Sequence, residues 1–123
     1  MRNLGAVRDF ALRSGDTPDL IIPIRNTDDE PASFIAPRLI WILSTKPEPA
    51  AADVLVVKDT ADGSASISIV GGVWTAVAPL LIADTDQLTP GRYFHAARIL
   101  DGPLSFTVLT GVAKIEGSIP IPP

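Results

Sequence analysis

The stretch from Leu88 to Ile115 restricts the possible fold more than any other. Two long runs rich in aromatic and β-branched residues flank Asp101-Gly102, a dipeptide suited to a tight turn between antiparallel strands. In the first run Tyr93, His95, Ala97 and Ile99 alternate with Phe94, Ala96 and Arg98, and the tyrosine set is placed inward. In the second, Phe106 and Val108 share one parity, while Leu109, Gly111, Ala113 and Ile115 share the other. The apolar face therefore changes phase before Gly111, and one extra residue in that strand, a bulge, restores it. Neither run has the period of a helix, so the expected architecture is all-β.

Upstream, residues 1–8 read as an irregular lead-in to a short strand around Asp9 to Arg13, with a turn at Ser14 to Asp16. Leu20, Ile22 and Ile24 then fall on one face of a strand whose other face carries Asp19, Ile21, Pro23 and Arg25. Pro23 lacks an N–H and suits an edge strand. Asn26 to Pro31 forms a polar turn. The run from Arg38 to Ser44 is apolar on both faces, with Leu39, Trp41 and Leu43 on one and Ile40 and Ile42 on the other. The expected core is Leu20, Ile22, Ile24, Leu39, Trp41 and Leu43. Ile40 and Ile42 are covered either by a loop of the same chain or by an assembly contact.

Thr45 to Asp53 is a proline-bearing loop or spacer. Val54 to Lys58 is a short strand, and Asp59 to Gly63 a turn. Ala65 to Val70 and Val73 to Leu80 are strands joined by Gly71-Gly72. Ile82 to Leu88 is a short helical turn. Seven to nine strands in one sandwich domain over residues 1–117 account for the chain, followed at 118–123 by an extended arm, Ser-Ile-Pro-Ile-Pro-Pro. Its Ile119 and Ile121 either dock on a neighbouring subunit or fray with the terminus.

Composition removes several classes of function. The 123 residues carry a net charge of −4, and the ten Lys and Arg do not cluster, so nothing resembles a stripe that would neutralise a phosphate backbone. No nucleic-acid partner is expected. There is no Cys, which excludes disulfides, zinc thiolates and thiol catalysis. Gly63 to Ala83 is free of charge and long enough for a membrane span. Gly71-Gly72, Pro79 and the alternating Ser64, Ser66 and Ser68 argue instead for two strands and a turn, and no membrane partner is expected. The first residues lack the apolar core of a secretory signal.

Chemistry is scarce. His95 is the single histidine, so several imidazoles cannot share a metal, and a packed strand position fits it better than catalysis. Asp28-Asp29-Glu30 and Asp84-x-Asp86 offer hard oxygen ligands, but neither has the spacing of a calcium loop. Turn formation and helix capping explain them. No catalytic residue, metal site or cofactor is expected.

Leu88-x-Pro90-Gly91-x-Tyr93 is similar to the corner that enters the penultimate strand of immunoglobulin-like sandwiches, where the tyrosine hydroxyl bonds to upstream backbone. Around it stands a distinctive order of signals: Arg13-Ser-Gly-Asp-Thr17, the acidic turn with Pro31-Ala-Ser-Phe34, the Trp41 strand, Ile82 to Tyr93, Asp101-Gly102, and Leu109 to Ile115. Over residues 12 to 116 this order resembles the immunoglobulin-like domain at the N-terminus of phage baseplate upper proteins and of short stand-alone tailed-phage structural proteins. The chain departs from that pattern at Pro18 and Pro23, and no receptor-binding region follows the sandwich. The resemblance implies a non-enzymatic virion component of the tail, baseplate, neck or capsid exterior. Its partners would be other phage structural proteins and further copies of itself, with Ile40, Ile42, Ile119 and Ile121 as candidate contacts. The competing expectation is an adhesion module that binds carbohydrate or protein at a cell surface.

Overall fold

The computed structural model describes residues 6–24 and 34–117. They form nine strands: β1 (Ala6–Val7), β2 (Phe10–Arg13), β3 (Asp19–Pro23), β4 (Arg38–Ser44), β5 (Val54–Asp59), β6 (Ser66–Val70), β7 (Val73–Pro79), β8 (Gly91–Asp101) and β9 (Leu104–Glu116). A 3-10 turn at Ala51–Asp53 precedes β5, and one helical turn, α1 (Ile82–Thr85), follows β7. The Asn26 to Pro31 turn and the arm with Ile119 and Ile121 lie outside the described residues.

One sheet has the order β1–β9–β8–β4–β5, with β2 also paired to β9; the other has the order β3–β7–β6. This is an immunoglobulin-like sandwich, with β9, β8 and β4 in one sheet, β5 added at its edge, and β3, β7 and β6 in the other. The expected antiparallel sheet is not uniform. β1 and β2 run parallel to β9, and β1 is a paired strand inside the expected irregular lead-in.

The core lies between the sheets. Leu39, Trp41 and Leu43 on β4 are buried, Trp41 with 0% of its surface exposed, against Ile22 and Ile24 from the opposite sheet. Leu20 differs from expectation: it is half-buried at the margin of this cluster, because it sits at the start of β3 and lines the edge of a small cavity rather than being fully covered. The phase change in β9 is resolved by a register shift against Ala97/Arg98, which leaves Val108 as the additional residue. Val108 and Leu109 are then both buried.

Two turns follow from glycine. Gly71 and Gly72 have φ of 57° and 80° and separate the paired Val70 and Val73, as a two-residue turn of the doubly left-handed type requires. The β8–β9 turn is displaced by one residue from the expected Asp101-Gly102. Asp101 pairs with Leu104, so Gly102 and Pro103 are the central residues. Pro103 has no N–H to give a ladder and belongs in the turn, while the Asp101 carboxylate accepts the N–H groups of Ile35 and Ala36. The Thr45 to Asp53 segment is a closed loop, its ends joined by Thr45 N–H to the Asp53 carbonyl.

Candidate functional site

The Leu88 to Tyr93 segment forms the expected corner. Tyr93 donates its hydroxyl proton to the Thr89 carbonyl at 2.8 Å, with the Thr89 hydroxyl 3.1 Å away. Leu88 is buried beneath it, whereas Pro90 and Gly91 are exposed at the start of β8. Ser14 adds a second tie by donating to the Leu88 carbonyl at 2.7 Å. Thr85, buried in α1, donates to the Asp16 carbonyl and accepts the Gly15 N–H. The Ser14 to Asp16 turn is thus locked to the entrance of β8.

His95 is buried between Trp41 of β4 and the Arg8 to Phe10 segment, where it helps line a small cavity. It is 4% exposed. Its Nδ1 accepts the Trp41 indole N–H at 3.2 Å, and its Nε2 lies 2.6 Å from the Arg8 carbonyl. A carbonyl only accepts, so Nε2 carries the proton, and the ring is neutral with both nitrogens committed. Burial pushes the imidazole below its ordinary proton affinity, against the opposing pull of the Arg8 carbonyl and the Asp9 carboxylate. Phe10 meets the ring edge-on at 4.7 Å. A cavity of about 130 Å³ beside it is lined by Arg8, Phe10, Asp19, Ile21, Trp41 and Leu109, among others.

The Arg8 carbonyl reaches His95 only by crossing β9 at Gly111. A Cβ at position 111 would stand 1.9 Å from that oxygen and 2.7 Å from His95 Nε2. On either side Arg8 N–H donates to the Thr110 carbonyl and Val112 N–H to the Asp9 carboxylate. Asp9 therefore does not continue β2 as expected; its side chain bridges the break between β1 and β2.

Asp84 is equally committed. Its Oδ2 accepts from Lys58 Nζ at 2.6 Å and from Leu81 N–H at 2.8 Å. Burial raises the carboxyl, and the Lys58 hydrogen bond, the Leu81 N–H and the Lys58 charge together outweigh it and hold the group below the usual range. Lys58 is 5% exposed, so the pair joins the β5 edge of one sheet to the connection leaving the other. Asp86 is exposed. Among the described residues no three His, Asp or Glu side chains converge as metal ligands; Asp28, Asp29 and Glu30 lie outside them. Among the described residues no helix is long and apolar enough to cross a membrane.

The larger depression, about 610 Å³, opens beside Pro90, Gly91, Val112 and Ile115, with Arg92, Lys114 and Glu116 at its rim. Among the described residues that line it there is no convergent set of polar groups of the kind that orients a small ligand.

The most distinctive surface is the outer face of the larger sheet. The register of β5, β4, β8 and β9 places Val57 beside Ile42, Ile42 beside Ala96, and Phe94 beside Val112. Leu55 and Val57 are 42% and 50% exposed, and Ile40, Ile42, Phe94, Ala96 and Val112 are half-buried. Arg38 and Asp59 close one end through a two-point ion pair of 3.0 and 2.6 Å. Within the sheet Ile40 lies between Asp59 and Arg98, and Ile42 between Val57 and Ala96. Comparison with known proteins finds no matching family model and no matching curated sequence.

Proposed function

We propose that the chain is a structural protein of a tailed-phage virion, of the tail, baseplate, neck or capsid exterior, and that it acts through protein contacts rather than catalysis. The observation that carries the assembly reading is the apolar outer face built from Ile40, Ile42, Leu55, Val57, Phe94 and Ala96. Contiguous apolar surface of this kind on a sheet is what protein interfaces use. The virion assignment rests on the order of turn and strand signals from Arg13 to Ile115, which resembles the immunoglobulin-like domains of phage baseplate proteins.

Mass spectrometry of purified particles tests it. The chain should appear in particles at a fixed ratio to the other structural proteins, and the double variant Ile42→Glu, Val57→Glu should fold but be lost from them. Absence of the chain from particles, or undiminished incorporation of the variant, overturns the proposal. Saturable binding of the purified protein to a glycan or a cell surface would instead favour the adhesion module.

A further inference from the structure

We infer that β6 is a docking edge for a second copy of this chain, which adds its own β6 antiparallel and joins the two smaller sheets into one. The inference rests on the assembly reading and names one partner and one contact for it. Sheets expose unpaired N–H and C=O groups at their edges, and proteins ordinarily guard them with charge or proline. Among the described strands, three of the four edges are guarded. β3 carries Asp19 and Pro23, β5 carries Lys58 and Asp59, and the β1–β2 edge carries Arg8, Asp9 and Arg13. β6, Ser-Ile-Ser-Ile-Val, has neither, and Ile69 and Val70 are 59% and 60% exposed on it.

Register determines which of its backbone groups are free. Val70 and Val73 flank a two-residue turn and so form a hydrogen-bonded pair. Alternation along an antiparallel ladder then turns the N–H and C=O of Ile67 and Ile69 away from β7. The bond from Ile24 N–H to the Trp74 carbonyl agrees, because Trp74, the partner of Ile69, spends its own groups on the β3 side.

These free groups are self-complementary. A two-fold axis through Ser68 sets Ile67 against Ile69 of the second copy as hydrogen-bonded pairs and brings the two Ser68 residues together as a non-hydrogen-bonded pair. Electrostatics permits the same partner. The whole chain has a net charge of −4, so most pairs of like surfaces repel. Gly63 to Ala83 contains no charged residue, and two copies can meet there without opposing like charges.

Because the chain lacks cysteine, Ser68→Cys gives one thiol, which at the axis meets its counterpart at a Cα separation of about 4.5 Å, within disulfide reach. Mild oxidation should convert this variant to covalent dimer, while Thr110→Cys, exposed on the other sheet, should not cross-link. Sedimentation should show a concentration-dependent dimer for the natural chain and a monomer for Ser68→Lys. Mixing Ser68→Lys with Ser68→Glu should restore dimer. Circular dichroism checks that each variant is folded, which the exposure of Ser68 favours. A natural chain that stays monomeric throughout, or a dimer indifferent to Ser68→Lys, overturns the inference. Incorporation of Ser68→Lys into particles would overturn it as an assembly contact while leaving the virion role intact.

Discussion

At the residue scale, Gly111 has an unusual job for a glycine. Its φ is not in the left-handed region; what excludes a side chain is the Arg8 carbonyl, 1.9 Å from where a Cβ would stand. Gly111→Ala must lift the N-terminal segment off β9, breaking the Arg8 bonds to Thr110 and His95. Crowding of a packed site costs roughly 1–3 kcal/mol, so the unfolding midpoint should fall. Hydrogen exchange should quicken at Arg8 and at Phe10 to Arg13 before it changes in β4. Unchanged exchange in that segment would show that the close approach is not what holds it. Tyr93→Phe removes a bond at the surface and should cost less, about 0.5–1.5 kcal/mol, measured as a shift in urea midpoint with an unchanged slope. No shift would mean that Leu88 and Ser14 alone fix the corner.

At the element scale, the legible parts of the fold were those whose two faces differ. β3 and β8 alternate because one face meets the other sheet, β4 stood out instead as a short run apolar on both faces, and the bulge at Val108 was visible because the inward parity of β9 changes there. β1 was not legible: two residues, Ala6–Val7, have no period, and their parallel pairing with Leu109 and Thr110 depends on a partner about a hundred positions away. The charge-free composition of β6 could be read directly, but not its place at an edge, which is a property of strand order. Lys58 closes the expected Val54 to Lys58 strand with no partner beside it in sequence, and its burial depends on Asp84, 26 residues later, returning to meet it. The pair should respond asymmetrically. Asp84→Asn leaves a buried ammonium without its counter-charge, toward the lower end of the ~3–5 kcal/mol typical of such losses. Lys58→Met leaves a carboxylate that still holds Leu81 N–H and reaches water, so it should cost clearly less. The double variant Lys58→Met, Asp84→Leu should recover part of the Asp84→Asn loss in thermal denaturation. Equal losses from the two single variants would refute the assignment of the cost to the stranded ammonium.

At the scale of the whole molecule, several ties between segments distant in the chain involve groups that bind protons less readily when folded. Arg38 holds Asp59 below the usual carboxylate range; the Lys58 and Leu81 bonds outweigh burial at Asp84; and burial lowers His95. Each of the three binds fewer protons in the folded chain than in the unfolded one, so falling pH favours unfolding. The windows differ. For His95 the contribution is complete above the unfolded imidazole value, ~6.5, and declines as pH falls through it toward the lower folded value. For the carboxylates it is complete above ~4 and is lost as pH falls through their folded values. Thermal stability should therefore be level above about pH 7.5, slope downward below about 6.5 and fall again in acid. Since His95 is the only histidine, the upper step can be assigned by one substitution. A glutamine amide can donate to the Arg8 carbonyl and accept the Trp41 N–H, as the neutral ring does, but does not titrate. In His95→Gln the step near 6.5 should vanish while the acid limb remains. Arg8 and Asp9 are the charged groups whose fields reach the ring. A step that survives in His95→Gln would therefore place the proton uptake on some other group and remove the Trp41–His95–Arg8 chain as its origin.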